Sequence, residues 1–129
     1  MILAFKEQFK RKILEGTKIH TIRDDPKDRW KSWREIDFAT GVRTKEYNCF
    51  KKCQVMSTQH IFMTYAFDDI IEITIGSRYI ADYSEKEQLA INDGFDSYKD
   101  FFDWFYPLID KHPKKQFTGK IIHWTDKRY

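Results

Sequence analysis

The stretch Glu15-Gly-Thr-Lys-Ile-His-Thr-Ile-Arg-Asp24 constrains the fold of this chain more than any other. Ahead of it, Phe5, Phe9 and Ile13 recur every four residues with Leu14 beside them, the spacing of one helical face. Gly16 falls where such a helix needs left-handed backbone in order to stop. Behind it, Ile19 and Ile22 flank polar residues in a β-branched run, so the chain turns from helix straight into strand. The junction gathers a lysine (Lys18), a hydroxyl (Thr21), a guanidinium (Arg23) and a carboxylate (Asp24). In a regular strand Thr21 and Arg23 share a face and Lys18 takes the other, so Lys18 joins them only from the turn or across a bulge. The alternative is ordinary strand polarity, with Lys18 and Arg23 facing solvent and pairing with Asp24 or Glu15.

Asp24 to Asp28 carries turn signals around Pro26, and Arg29-Trp-Lys-Ser-Trp-Arg34 reads as a basic, aromatic loop. A strand is expected over Ile36–Ala39, closed by Thr40-Gly41, then a polar excursion to Asn48. Residues 49–66 read as one long strand that bends or bulges along its length. Ile71, Ile73 and Ile75 alternate with Glu72 and Thr74, and Gly76-Ser77 turns the chain into Arg78–Asp82, a hairpin. Ser84 and Glu87 have the spacing of a capping box, opening a helix that Gly94 ends. Ser97 starts a second, aromatic helix expected to stop near Tyr106-Pro107. Leu108 to Lys115 reads as a loop, Gln116–Trp124 as the last strand and Thr125–Tyr129 as a polar tail.

The 129 residues suit one domain, and eleven Phe, seven Tyr and four Trp supply enough apolar area for a core without disulfides. No apolar run reaches the roughly 20 residues of a membrane span, and the first residues lack the pattern of a signal peptide, which points to a cytoplasmic protein. Cys49 and Cys53 have neither redox-motif nor zinc-site spacing and are read as free thiols; no metal or organic cofactor is implied. Charge is uneven: residues 1–53 carry 14 Lys/Arg against 8 Asp/Glu, and the remainder 9 against 12. A basic front with interleaved aromatics fits a nucleic-acid or nucleotide partner, and equally a solvated charged surface.

The junction, Ile13-Leu-Glu-Gly-Thr-Lys-Ile-His-Thr-Ile-Arg23, resembles the signature of the ASCH domain, a branch of the PUA-like superfamily. Leu89-Ala-Ile-Asn-Asp-Gly-Phe95, followed by Ser97 and the aromatic helix, resembles that family's Ala-x-x-Glu-Gly-Phe segment. The resemblance covers residues 1–124, except that 30–50 is longer than the family's minimum and unmatched. It implies an α+β fold, a small, mostly antiparallel β-barrel with helices packed around it, binding RNA or a modified nucleotide in a cleft beside the barrel.

One group within that family hydrolyses 4-N-acetylcytidine with a lysine, a threonine and a glutamate. These fall on Lys18, Thr21 and Asp93, the last a departure, since aspartate is one methylene shorter. The resemblance thus implies a second function, amide hydrolysis: Thr21 as nucleophile, Lys18 as base, Asp93 orienting the lysine or protonating the leaving amine, and Arg23 on the oxyanion or a phosphate. Arg23, Asp24, Arg29, Trp30, Lys31, Trp33 and Arg34 are the expected binding residues, although Trp30 and Trp33 suit loop anchors as well as base stacking. A third possibility is a non-catalytic interaction domain that uses residues 30–50 as its contact surface.

Overall fold

The computed structural model describes all residues, 1–129. Three helices and eight strands follow in the order β1 (Ile2–Ala4), α1 (Glu7–Glu15), β2 (His20–Arg23), β3 (Glu35–Thr40), β4 (Asn48–Gln54), β5 (Ser57–Tyr65), β6 (Ile71–Ile75), β7 (Arg78–Ile80), α2 (Tyr83–Asn92), α3 (Tyr98–Lys111) and β8 (Gln116–His123). The architecture is α+β with mostly antiparallel strands. They form two sheets rather than a closed barrel: β1-β3-β4, with β1 parallel to β3, and the antiparallel β2-β8-β5-β6-β7.

The division falls within the expected long strand of residues 49–66. Its first part, β4, pairs with β3, and its last part, β5, pairs with β8 and β6. Between them Val55 donates its amide to Arg34 O and Met56 donates to His123 O, so the chain leaves one sheet and enters the other within two residues. Val55 is fully buried at that crossing, and an apolar side chain there holds the bend. The sheets meet through stacked Phe5 and Phe38, 5.8 Å apart, and Trp124, whose ring lies edge-on to Phe38 at 4.8 Å.

The hairpin of β6 and β7 forms as its alternation predicts, with Ile71, Ile73 and Ile75 buried. Two helix boundaries differ from expectation. α2 begins one residue before Ser84, so the capping box does not form; Glu87 instead accepts the amide of Tyr98 at 3.2 Å and ties α2 to α3. α3 starts at Ser97, whose hydroxyl accepts the Asp100 amide, but runs through Pro107 to Lys111. The missing proline N–H and ring clash disfavour that continuation by about 3 kcal/mol, and α3 runs on with Ile109 fully buried two residues before its end. No helix is long and apolar enough to cross a membrane.

Candidate functional site

α1 ends as its sequence dictates, at Gly16 with φ 83°. The amides of Thr17 and Lys18 fold back onto Lys12 O at 2.9 and 3.0 Å, so Lys18 lies in the turn, two residues before β2. Its side chain therefore escapes strand alternation. It crosses to the loop after α2, which is held in place by Ile19 N donating to Asn92 O (2.9 Å) and Lys12 Nζ donating to Gly94 O (2.8 Å). Gly94 is required there twice over. Its φ is 97°, and a Cβ would come within 2.6 Å of the Lys18 stem and 3.0 Å of Phe9.

The Lys18 ammonium is almost fully buried, at 2% exposure. It donates to His20 O at 2.9 Å and to Asp93 O, and reaches Asp93 Oδ1 only at 3.5 Å. Phe5 and Phe9 offer ring faces at 5.6 and 5.0 Å. Burial dominates this balance and lowers the Lys18 pKa to about 8, with Asp93 offsetting part of the effect and Arg23 adding to it. The shorter aspartate thus meets Lys18 mainly through its backbone carbonyl, while its carboxylate is shared with a histidine.

Thr21 and Arg23 share one face of β2, as alternation requires. Arg23 Nε donates to Thr21 Oγ1 at 3.2 Å, and its terminal nitrogen donates to Ala4 O at 2.5 Å. That leaves the Thr21 hydroxyl proton free to seek an acceptor. The guanidinium lies over the other side of the same cluster, 5.0 Å from the Phe5 ring centre. Lys18, Thr21, Arg23, Asp24 and Asp93 all line one cleft of about 1000 Å³. The same cleft is lined by the apolar side chains of Phe9, Trp104, Phe105, Leu108 and Phe117, and by His112. The site therefore combines polar groups with aromatic rings, and no group of His, Cys, Asp or Glu side chains is arranged to hold a metal ion.

The basic loop lies elsewhere. None of Arg29, Trp30, Lys31, Trp33 and Arg34 lines the cleft. Trp30 is a core residue at 7% exposure, whereas Arg29, Lys31, Trp33 and Arg34 face outward. The loop is fixed from beneath by Lys120, which donates to Trp30 O and Asp25 Oδ2, both at 3.0 Å, and to Asp28. Asp25 in turn accepts the amides of Arg29 and Trp30, each at 2.9 Å. Trp33, 65% exposed, has φ 71°, an uncommon backbone for a bulky side chain.

Behind the polar corner lies a network that the sequence did not announce. His20 faces away from Thr21 and Arg23, which turns it onto Asp93, with Nδ1 3.2 Å from Oδ1. His20 Nε2 is 2.6 Å from the Tyr129 hydroxyl, which also takes a hydrogen bond from Asn92 Nδ2 at 2.8 Å. The segment expected to be a polar tail is thus folded against β2, β5 and the end of α2. Separations of 73 and 109 residues hide these pairs from any local pattern. Trp104 and Phe105 in the expected aromatic helix were the advance sign of the apolar lining, whereas Leu108, read as the start of a loop, joins it because α3 continues past Pro107. The cysteines are free thiols. No protein-family model, curated protein or solved structure gives a significant match to the chain.

Proposed function

We propose that the cleft binds a nucleoside or nucleotide, free or as part of RNA, as an ASCH-type, PUA-like domain would. The supporting observation is that one cleft of about 1000 Å³ joins two donors and two acceptors (Lys18, Arg23, Thr21, Asp93) to a ring-lined wall. A base has an apolar face and a hydrogen-bonding edge, and needs both kinds of surface at right angles. Stacking on a ring contributes about 1–3 kcal/mol, and Arg23 suits a phosphate or a base carbonyl. The outward cations of the 29–34 loop add contacts for a longer strand, which makes that part of binding salt-dependent.

Titration of cytidine, 4-N-acetylcytidine and a short oligoribonucleotide at low salt tests this. Saturable binding is expected, with Arg23→Ala and Trp104→Ala each weakening it about tenfold. Failure to bind nucleosides, RNA or single-stranded DNA would sink the proposal.

A second function, amide hydrolysis, draws support from the Lys18 pKa of about 8 in the same cleft as an unengaged Thr21 proton. Thr21 Oγ would add to the acyl carbonyl while its proton passes to the neutral Lys18 amine. Arg23 would hold the oxyanion. The C–N bond would then break as the amine takes the proton back from Lys18, and water would hydrolyse the resulting ester. At pH 7 only about a tenth of Lys18 is neutral, so the rate is expected to climb as pH rises through 8. Release of cytidine from 4-N-acetylcytidine by the wild type, but not by Lys18→Ala or Thr21→Ala, would establish it. Full activity in both variants would exclude these roles.

A further inference from the structure

With the Gln88 amide nitrogen directed at Asn92, the hydrogen bonds behind Lys18 run in one direction. The Asn92 carbonyl accepts from Gln88 Nε2 at 2.8 Å, which turns its amide nitrogen toward the Tyr129 oxygen. With that oxygen already accepting, the phenol proton is directed to His20 Nε2 at 2.6 Å. A neutral ring that accepts at Nε2 carries its proton on Nδ1, where Asp93 Oδ1 waits as acceptor at 3.2 Å. Lys18 donates to that same oxygen from the other side. Every polar atom in the row therefore has its partner.

A second row leaves the same tyrosine through its backbone. Tyr129 N donates to Gln59 Oε1 and Tyr129 O accepts from Gln59 Nε2, both at 2.9 Å. This pair fixes the Gln59 amide, so His123 Nε2, 3.0 Å from Gln59 Oε1, must be the donor. His123 Nδ1 is then a buried lone pair without a partner. The two imidazoles lie edge to face at 5.2 Å and hold opposite tautomers.

We propose that Tyr129 is a positioning residue of the cleft: it fixes His20 as the Nδ1–H tautomer and His123 as the Nε2–H tautomer, and so keeps the Asp93 carboxylate turned onto Lys18. The importance of this geometry to function rests on the cleft reading above, but the tautomers do not. The charged or titratable groups facing His20 are Asp93, Lys18, His123 and Tyr129, and Lys127 and Arg128 act on His123.

Long-range proton–nitrogen spectra of uniformly ¹⁵N-labelled protein read both tautomers without any ligand. The wild type is expected to show His20 as Nδ1–H and His123 as Nε2–H. Tyr129→Phe removes the phenol donor but keeps the backbone clamp. His20 should then protonate at higher pH and the Lys18 amine titrate lower, with the His123 tautomer unchanged; a merely structural strap would alter the melting temperature and neither titration. If Tyr129→Phe does not fold, Asn92→Asp serves instead, because a carboxylate there takes the phenol proton away from His20 and should raise its titration point. An Nε2–H His20 in the wild type, or titrations unmoved in the folded variant, would overturn the proposal. Nucleoside binding measured on the same samples fails or succeeds separately.

Discussion

Lys18 and Lys120 are both buried, at 2% and 5% exposure, and their settings are opposite. Lys120 meets two carboxylates, Asp25 and Asp28, and the Trp30 carbonyl. Burial works against its charge, but the two acids outweigh that and raise its pKa. Lys18 meets two carbonyls and the edge of one carboxylate that His20 also uses, and burial wins. One lysine is fully compensated and pins a loop to the sheet. The other is under-compensated and looks into a cleft. Burial of a charge does not mark a site; the shortfall in its compensation does.

The contrast is most sharply broken by removing each amine. Lys120→Met leaves Asp25, whose side chain is 3% exposed, without its cation and frees the loop that carries Trp30. A loss of about 3 kcal/mol in urea unfolding is expected. Lys18→Met removes a poorly compensated charge and should cost less, about 1–2 kcal/mol, for two carbonyls left without a donor and for the buried Asp93 carboxylate, which keeps His20 as its partner. Equal losses would mean that the two lysines do the same job.

Acid tests the histidines beside Lys18. Burial lowers the pKa of His123 from 6.5 to about 3, and that of His20 moves down for the same reason, against the pull of Asp93. The unfolded chain therefore takes up these protons first, and stability should fall as pH drops from 6.5 toward 3, by about 2 kcal/mol between pH 7 and pH 4. His123→Gln keeps a donor for Gln59 and should flatten that slope in urea midpoints.

Alkali acts with the opposite sign on Lys18. Between pH 8 and 10.5 the folded chain has released this proton while the unfolded chain still holds it, so stability rises with pH by about 1–2 kcal/mol. Lys120 and Tyr129, both raised, act against this only above about pH 10. The gain should vanish in Lys18→Met. The smallest change expected is in Asp93→Glu, where an extra bond of about 1.5 Å brings the carboxylate closer to Lys18 and lifts its pKa above 8. An amine titration by nuclear magnetic resonance that moves downward would show that the longer side chain points elsewhere.

Much of the site was legible because its signals are local. Phe5, Phe9 and Ile13 at helical spacing, Gly16 at the stop and a β-branched run put Thr21 with Arg23 on one strand face and left Lys18 to the turn, a bulge or the solvent face. Asp93 was legible only as part of a short segment ending in Gly94. The family resemblance paired it with Lys18, 75 residues away, but its contact with His20, 73 residues away, was not legible. The 29–34 loop shows the limit of composition. Its charges face outward, but composition does not say which side of the sheet they leave from. Lys120 and Asp25, far apart in sequence, decide that by anchoring Trp30 in the core.

The sequence by itself determined the elements whose period or punctuation is strong: α1 and its glycine stop, the β6–β7 hairpin, the Ser97 cap and the closing strand. Tertiary structure decided where competing burial overrode local preference. Val55 splits one β-prone run between two sheets, which leaves the strands as two layers rather than a barrel. α3 continues past Pro107 with Ile109 buried. Tyr129 folds back against the sheet past the exposed residues 126–128, because a phenol, a histidine and an amide satisfy one another there. Local propensity is a matter of fractions of a kcal/mol for ordinary residues and about 3 kcal/mol for a proline within a helix, while burying one large side chain contributes about 1.5–3 kcal/mol. Only the folded chain reveals which of the two prevails at each position.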